Sequence, residues 1–150
     1  MSGRPRNGAR WTGVLVATTA IALTGCGGGA PAPSASDTPR EVVQAFITAL
    51  DRHDTDRAVA LLTPLQREWV NGWLTNVVSI RDVTIGTPLD RSGTNLASAE
   101  RHRFVLDVPV EFTLQQKREV SMVNGRTVWG YVLVRDRETD PWLIDDQGTG

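Results

Sequence analysis

The sequence of 150 residues predicts an α+β fold, with three N-terminal helices packed on one face of a curved antiparallel sheet of about four to five strands. Two observations carry that prediction. Between Thr38 and Asn76 the apolar residues recur at helical spacing, in segments opened by capping signatures; beyond Asn76 the period drops to that of a strand. A third observation sets the bounds: everything before Thr38 has the composition of a leader and a tether, so about 110 residues remain for one hydrophobic core and no second domain.

The first helix opens at Thr38-Pro39-Arg40-Glu41. Thr38 can cap the chain end, Pro39 suits the first helical position, and Glu41 completes a capping box. Val42, Phe46 and Leu50, with Val43, Ile47 and Ala49 beside them, form its apolar stripe, and the helix should run to about Arg52. His53-Asp54-Thr55-Asp56 interrupts it and caps a shorter helix with Ala58, Leu61 and Leu62. Thr63-Pro64-Leu65-Gln66 repeats the cap-and-proline signature, so a third helix is expected to carry Leu65, Trp69, Val70, Trp73 and Leu74.

Residues 77–85 read as a first strand with irregular alternation, and residues 86–99, rich in Gly, Pro, Asp, Asn and Ser, as a connection. From His102 the alternation is clean. His102, Phe104, Leu106, Val108, Val110, Phe112 and Leu114 share one face; Arg101, Arg103, Val105, Asp107, Pro109, Glu111 and Thr113 share the other. Pro109 cannot donate to a ladder, which predicts a bulge or an edge strand there. Asn124-Gly125 is a turn dipeptide. Residues 128–134 are apolar on both faces and should lie centrally in the sheet. Residues 135–140 make a charged loop, Trp142-Leu143-Ile144 returns as the last strand, and Asp145-Asp146 reads as its solvated exit.

Ahead of this region, residues 1–10 hold Arg4, Arg6 and Arg10 and no acid, and residues 11–23 are uncharged. A spanning helix needs about 20 apolar residues, so this run is too short to cross a bilayer and has the length of a signal-peptide apolar region. A buried core helix would not carry three arginines before it and a Gly/Pro/Ser stretch behind it. The run ends at Leu23-Thr24-Gly25-Cys26, and Cys26 is the only cysteine. This tetrapeptide resembles the lipobox of bacterial lipoproteins at all four positions. The resemblance implies diacylglyceryl transfer to the Cys26 sulfur and cleavage after Gly25, leaving a lipid-anchored protein on the extracytoplasmic face of the membrane. Residues 27–37 hold no large apolar side chain and read as a flexible tether with a reach of about 20 Å. The domain plan is therefore a signal peptide over 1–25, a lipidated tether over 26–37, and a folded domain over 38–150.

Charge and cysteine count exclude several functions. The chain carries a formal charge of −1, and loss of Arg4, Arg6 and Arg10 leaves 13 basic against 17 acidic residues, with no basic cluster of the kind nucleic-acid binding requires. A lone cysteine makes no internal disulfide and no Cys-based metal site. No phosphate loop, nucleophile elbow or HExxH motif is present, so neither a cofactor nor a metal is expected.

The capped opening helix with Val42, Phe46 and Leu50, the second helix with Ala58, Leu61 and Leu62, and the closing pair Trp129-Gly130-Tyr131-Val132-Leu133-Val134 and Pro141-Trp142-Leu143-Ile144-Asp145 resemble the nuclear transport factor 2-like superfamily. In particular they resemble the small lipoproteins of high-GC Gram-positive bacteria built on that fold. The resemblance implies a cone-shaped sheet closed by helices, with a pocket between them. Members include isomerases, hydrolases, ligand carriers and partner-binding modules, so fold does not settle activity.

An isomerase or hydrolase would need an acid or base in that pocket. On the face from His102 to Leu114 the only titratable residue is His102, which makes it the one catalytic candidate; a dyad with Asp107 fails because the two side chains point to opposite faces. His53-Asp54-Thr55-Asp56 reads as an interhelix turn with a cap. Residues 136–140 carry carboxylates at alternate positions but lack the central Gly and distal Glu of a calcium loop. The aromatic residues Trp69, Trp73, Phe104, Trp129 and Tyr131 are the candidates to line a ligand pocket. The expectation is a non-catalytic module that binds an envelope protein or a small apolar ligand, with an enzyme using His102 as the alternative and pairing of two copies through the sheet as a further expectation.

Overall fold

A computed structural model describes residues 32–149. The expected signal peptide, the lipobox-like Leu23-Thr24-Gly25-Cys26 and residues 27–31 of the expected tether lie outside the described residues. Residues 34–37 close a small turn ahead of the first helix, where the Ser34 N–H donates to Asp37 Oδ2 at 2.9 Å and the Asp37 N–H to the Ser34 carbonyl at 3.1 Å.

Helix α1 (Pro39–Asp51) starts as the sequence predicts. Thr38 Oγ1 accepts from the Glu41 N–H at 3.3 Å and Glu41 accepts from the Thr38 N–H at 2.7 Å, so two of the helix's free donors are satisfied reciprocally. The bond from Thr38 holds the Glu41 carboxyl below its ordinary pKa. Val42, Val43, Phe46, Ile47, Ala49 and Leu50 are buried along one stripe. His53 takes the left-handed conformation (φ 56°), and Asp54 caps α2 (Thr55–Ala60) by accepting from the Arg57 N–H at 3.0 Å.

The third helix expected from the sequence is two. Helix α3 (Pro64–Arg67) and helix α4 (Asn71–Asn76) are separated by a turn at residues 68–70. The Gln66 carbonyl accepts from both the Trp69 and Val70 N–H groups, and the Val70 carbonyl from both Trp73 and Leu74. These short-range bonds tighten the track at two successive turns. Val70 is thereby pulled into the core while Trp69 is left 73% exposed.

The five-stranded sheet is antiparallel, in the order β1–β3–β4–β5, with β2 also on β3. Its strands are β1 (Val77–Ile85), β2 (Leu89–Asp90), β3 (Phe104–Gln116), β4 (Gly125–Arg135) and β5 (Leu143–Gly148), with a short helix α5 (Ala97–Arg101) between β2 and β3. The irregular alternation of β1 has a structural cause in two register shifts, with Asp82 left-handed at φ 53° inside the second.

Pro109 sits neither in a bulge nor on an edge strand: β3 is central and pairs with β4 in unbroken register through Pro109 and Gly130. The Pro109 carbonyl, on the side facing β1 and β2, accepts from the Gly86 N–H at 2.8 Å, just where the chain leaves β1 and before it enters β2. The missing proline donor faces that same gap, where no ladder bond is lost.

The inner face carries Val108, Val110, Phe112 and Leu114 from β3, with Tyr131 and Leu133 from β4 and Ile144 from β5, all buried in the core. Helix α1 lies against it; the Phe46 and Tyr131 rings meet edge-on at 5.6 Å. The outer face is polar at Glu111, which pairs with Arg126, and at Thr113, which donates to Asp82 at 2.9 Å. At its other end it is covered. Residues 89–101 cross over β3 so that Val105 is buried although it belongs to the polar side of the alternation, and its N–H donates to Ser92 Oγ at 3.0 Å.

Candidate functional site

With the inner face filled, the cavities of interest lie at the two ends of the sheet. At one end, β4 brings Trp129 up beneath α4, where it meets Trp73 edge-on with ring centroids 5.8 Å apart. Trp69, thrown outward by the turn between α3 and α4, forms the outer wall. Gln66, Ser121, Gln147 and Asp146 complete a cleft of about 440 Å³. Sequence spacing put Trp69 and Trp73 together; Trp129 joins them through sheet register, which no local pattern encodes. Among the described residues no Lys or Arg lines this cleft, and its walls mix indole surface with side-chain amides.

Two residues of the lining carry a buried polar atom with no partner among the described residues, Trp129 Nε1 and Gln147 Oε1; Tyr131 Oη also has none, but Tyr131 is buried in the core and does not line the cleft. Trp129 and Tyr131 are two residues apart on one face of β4, and Tyr131 pairs directly with Gln147 of β5. Burial pushes the Tyr131 phenol above its ordinary pKa, so it stays protonated. Orphaned groups of this kind are costly in a folded chain and call for a partner, whether an ordered water or a ligand.

Of the five aromatic candidates, Tyr131 and Phe104 are not part of this cleft: Tyr131 is in the core, and Phe104 lies elsewhere on the sheet. It pairs with Arg135, six positions along β4 from Trp129, or about 20 Å at the rise of a strand. There it lies between the guanidinium groups of Arg103 and Arg135, at 5.2 and 5.5 Å. Trp142 is buried beside it under Arg135 at 4.3 Å.

That far end holds the second cavity, about 560 Å³, walled by Pro64, Leu65, Pro141 and Leu143 together with Arg101, His102, Asp136 and Asp145. Asp145 is the residue the sequence reading misplaced. It is the extra residue where β5 shifts register against β4, and it is buried instead of forming a solvated exit. Its Oδ1 accepts from Thr63 Oγ1 at 2.9 Å, and its Oδ2 accepts from Ser98 Oγ at 2.7 Å and from Arg101 Nη2 at 2.6 Å. Burial alone would raise its pKa; the bonds from Ser98, Thr63 and Arg101 and the arginine charge outweigh it and hold the carboxyl below its usual range. The pair Asp145-Asp146 after an apolar strand was the available signal, but the shift in register that buries the first acid was not legible.

Residues 40–148 match the family described as Domain of unknown function (DUF4829). The chain belongs to that family. The match begins one residue into α1 and ends with the last residue of β5, so the DUF4829 unit holds every element described above and both cavities. No curated protein matches the chain.

Within the DUF4829 domain, His102 lies 3.4 Å from Asp136 and 3.9 Å from Asp145, at the rim of the second cavity. A general base needs a free lone pair and a pKa near the working pH. Asp145 lacks the second, because the bonds from Ser98, Thr63 and Arg101 hold its pKa down. This one carboxylate ties the residue before α3, helix α5 and strand β5 to each other. Among the described residues no group of three or more His, Cys, Asp and Glu side chains is placed to hold a metal, and no helix is long and apolar enough to cross a membrane.

Proposed function

We propose that this protein is a lipoprotein anchored through Cys26 to the extracytoplasmic membrane face, and that its DUF4829 domain is a non-catalytic binding module. The observation that carries the binding role is the tryptophan cleft. Phe46, Phe112, Tyr131 and Leu133 fill the space between α1 and the sheet, while one end presents Trp69 to solvent beside buried polar atoms that lack partners among the described residues. Helices laid on one face of an antiparallel sheet support the nuclear transport factor 2-like reading of the fold. Anchoring rests on the lipobox Leu23-Thr24-Gly25-Cys26 at the end of the uncharged run. Two acyl chains give durable attachment, since each buried methylene contributes about 0.8 kcal/mol.

Cell fractionation after Cys26→Ala tests the anchor. The unaltered chain should sediment with membranes and take up a labelled fatty acid. The variant should leave the membrane fraction and lose the label; unchanged sedimentation would refute the anchor.

A further inference from the structure

We propose that the tryptophan cleft binds a neutral, polyhydroxylated ligand, that is, a glycan chain, gripped between Trp69 and the Trp73–Trp129 pair. The inference rests on the binding-module reading and deepens it by naming the ligand class. Two observations point to that class. The first is a pair of buried, unpartnered atoms on two residues that line the cleft: Trp129 Nε1–H needs an acceptor and Gln147 Oε1 needs a donor. Hydroxyl groups both accept and donate, which neither an alkyl chain nor a carboxylate does. The second is the lining. Indole faces are matched by the apolar C–H faces of a sugar ring, and the amides of Gln66 and Gln147 by its rim of hydroxyls. With no Lys or Arg in the wall and Asp146 at its edge, an anionic ligand would go uncompensated. An apolar ligand would leave the amides and the indole N–H buried without partners. At about 440 Å³ the cleft takes a segment of one or two sugar rings and leaves the chain free to continue past the exposed Trp69.

The test uses the full chain, purified from membranes in a polyoxyethylene detergent so that no sugar headgroup competes. Intrinsic tryptophan fluorescence is titrated with chitotetraose, cellotetraose and arabinotetraose, and separately with dodecanol as an apolar probe. Saturable binding of at least one oligosaccharide is expected at or below about 1 mM. Trp69→Ala, at an exposed position where folding is not at stake, should weaken it about tenfold. Trp129→Phe keeps a ring but deletes the donor and should weaken it by about three- to tenfold. No saturable response to any of the three sugars, or a response that Trp69→Ala leaves unchanged, overturns the glycan proposal. If dodecanol alone binds and depends on Trp69, the ligand class is wrong while the binding module stands. If neither kind of probe binds, both fall.

Discussion

Replacing Asp145 should destabilise the domain more than any other single change to a polar side chain described above. Its carboxylate is almost wholly buried and takes bonds of 2.9, 2.7 and 2.6 Å from Thr63, Ser98 and Arg101. Removing one partner of a buried charged pair costs about 3–5 kcal/mol. Here the Arg101 side chain is 44% exposed and regains water, whereas the Thr63 and Ser98 hydroxyls are buried and lose their acceptor. Asp145→Ala should therefore cost about 3–4 kcal/mol, near the lower end. For a domain of about 110 residues that is a fall in Tm of roughly 12–16 °C. Ser98→Ala alone should cost about 1 kcal/mol, and in the double variant the two effects should not add, because they share one bond.

Acid provides an independent check. Asp145 has a lowered pKa in the folded chain, so as pH falls the unfolded chain takes up the proton first, near the ordinary pKa of about 3.9. The stability it supplies is complete above that value and is lost as pH drops through the folded pKa. Urea midpoints measured from pH 7 to pH 2.5 should fall steeply for the unaltered protein and less so for Asp145→Asn, which starts lower. A loss under about 1 kcal/mol for Asp145→Ala, or identical acid slopes, would refute the role assigned to this carboxylate.

Two further changes probe the sheet. Tyr131→Phe deletes a buried hydroxyl that has no protein partner and should leave stability unchanged or raise it by up to about 1 kcal/mol, measured by urea unfolding; a clear loss would mean the hydroxyl is bonded. Gly86→Ala would place a methyl carbon 2.8 Å from Pro109 Cγ and 3.2 Å from its carbonyl oxygen, at the gap between β1 and β2. The expected cost is about 1–3 kcal/mol in the same assay, and a neutral result would show that the gap is looser than its geometry.

What the sequence disclosed was what neighbours along the chain decide. The capping box of Thr38 and Glu41 spans three residues, the bounds of β1 follow a change of period, and the alternation from Val108 to Leu114 reads directly as burial. The misses are tertiary. The tightened turns at Gln66 and Val70 divide the expected third helix, burying Val70 and turning Trp69 outward. The crossing of residues 89–101 buries Val105 on the polar face, and β2 and α5 within it have too few residues for a periodic signal. Pro109 argued for an edge because propensity cannot see that β1 ends and β2 begins on either side of it, leaving a gap opposite it. At the candidate site the same division holds: the indoles of Trp69 and Trp73 were visible as a pair, whereas Trp129, Gln147 and the burial of Asp145 depend on register between strands distant in sequence.

The central claim is that a binding domain is held at the membrane by lipid on Cys26. Mass spectrometry of the N-terminal peptide of protein isolated from membranes tests it most directly. The account predicts a chain that begins at Cys26 and carries a diacylglyceryl group on its sulfur. A chain that retains residues 1–25, or one that begins at Cys26 with a free thiol, would contradict it.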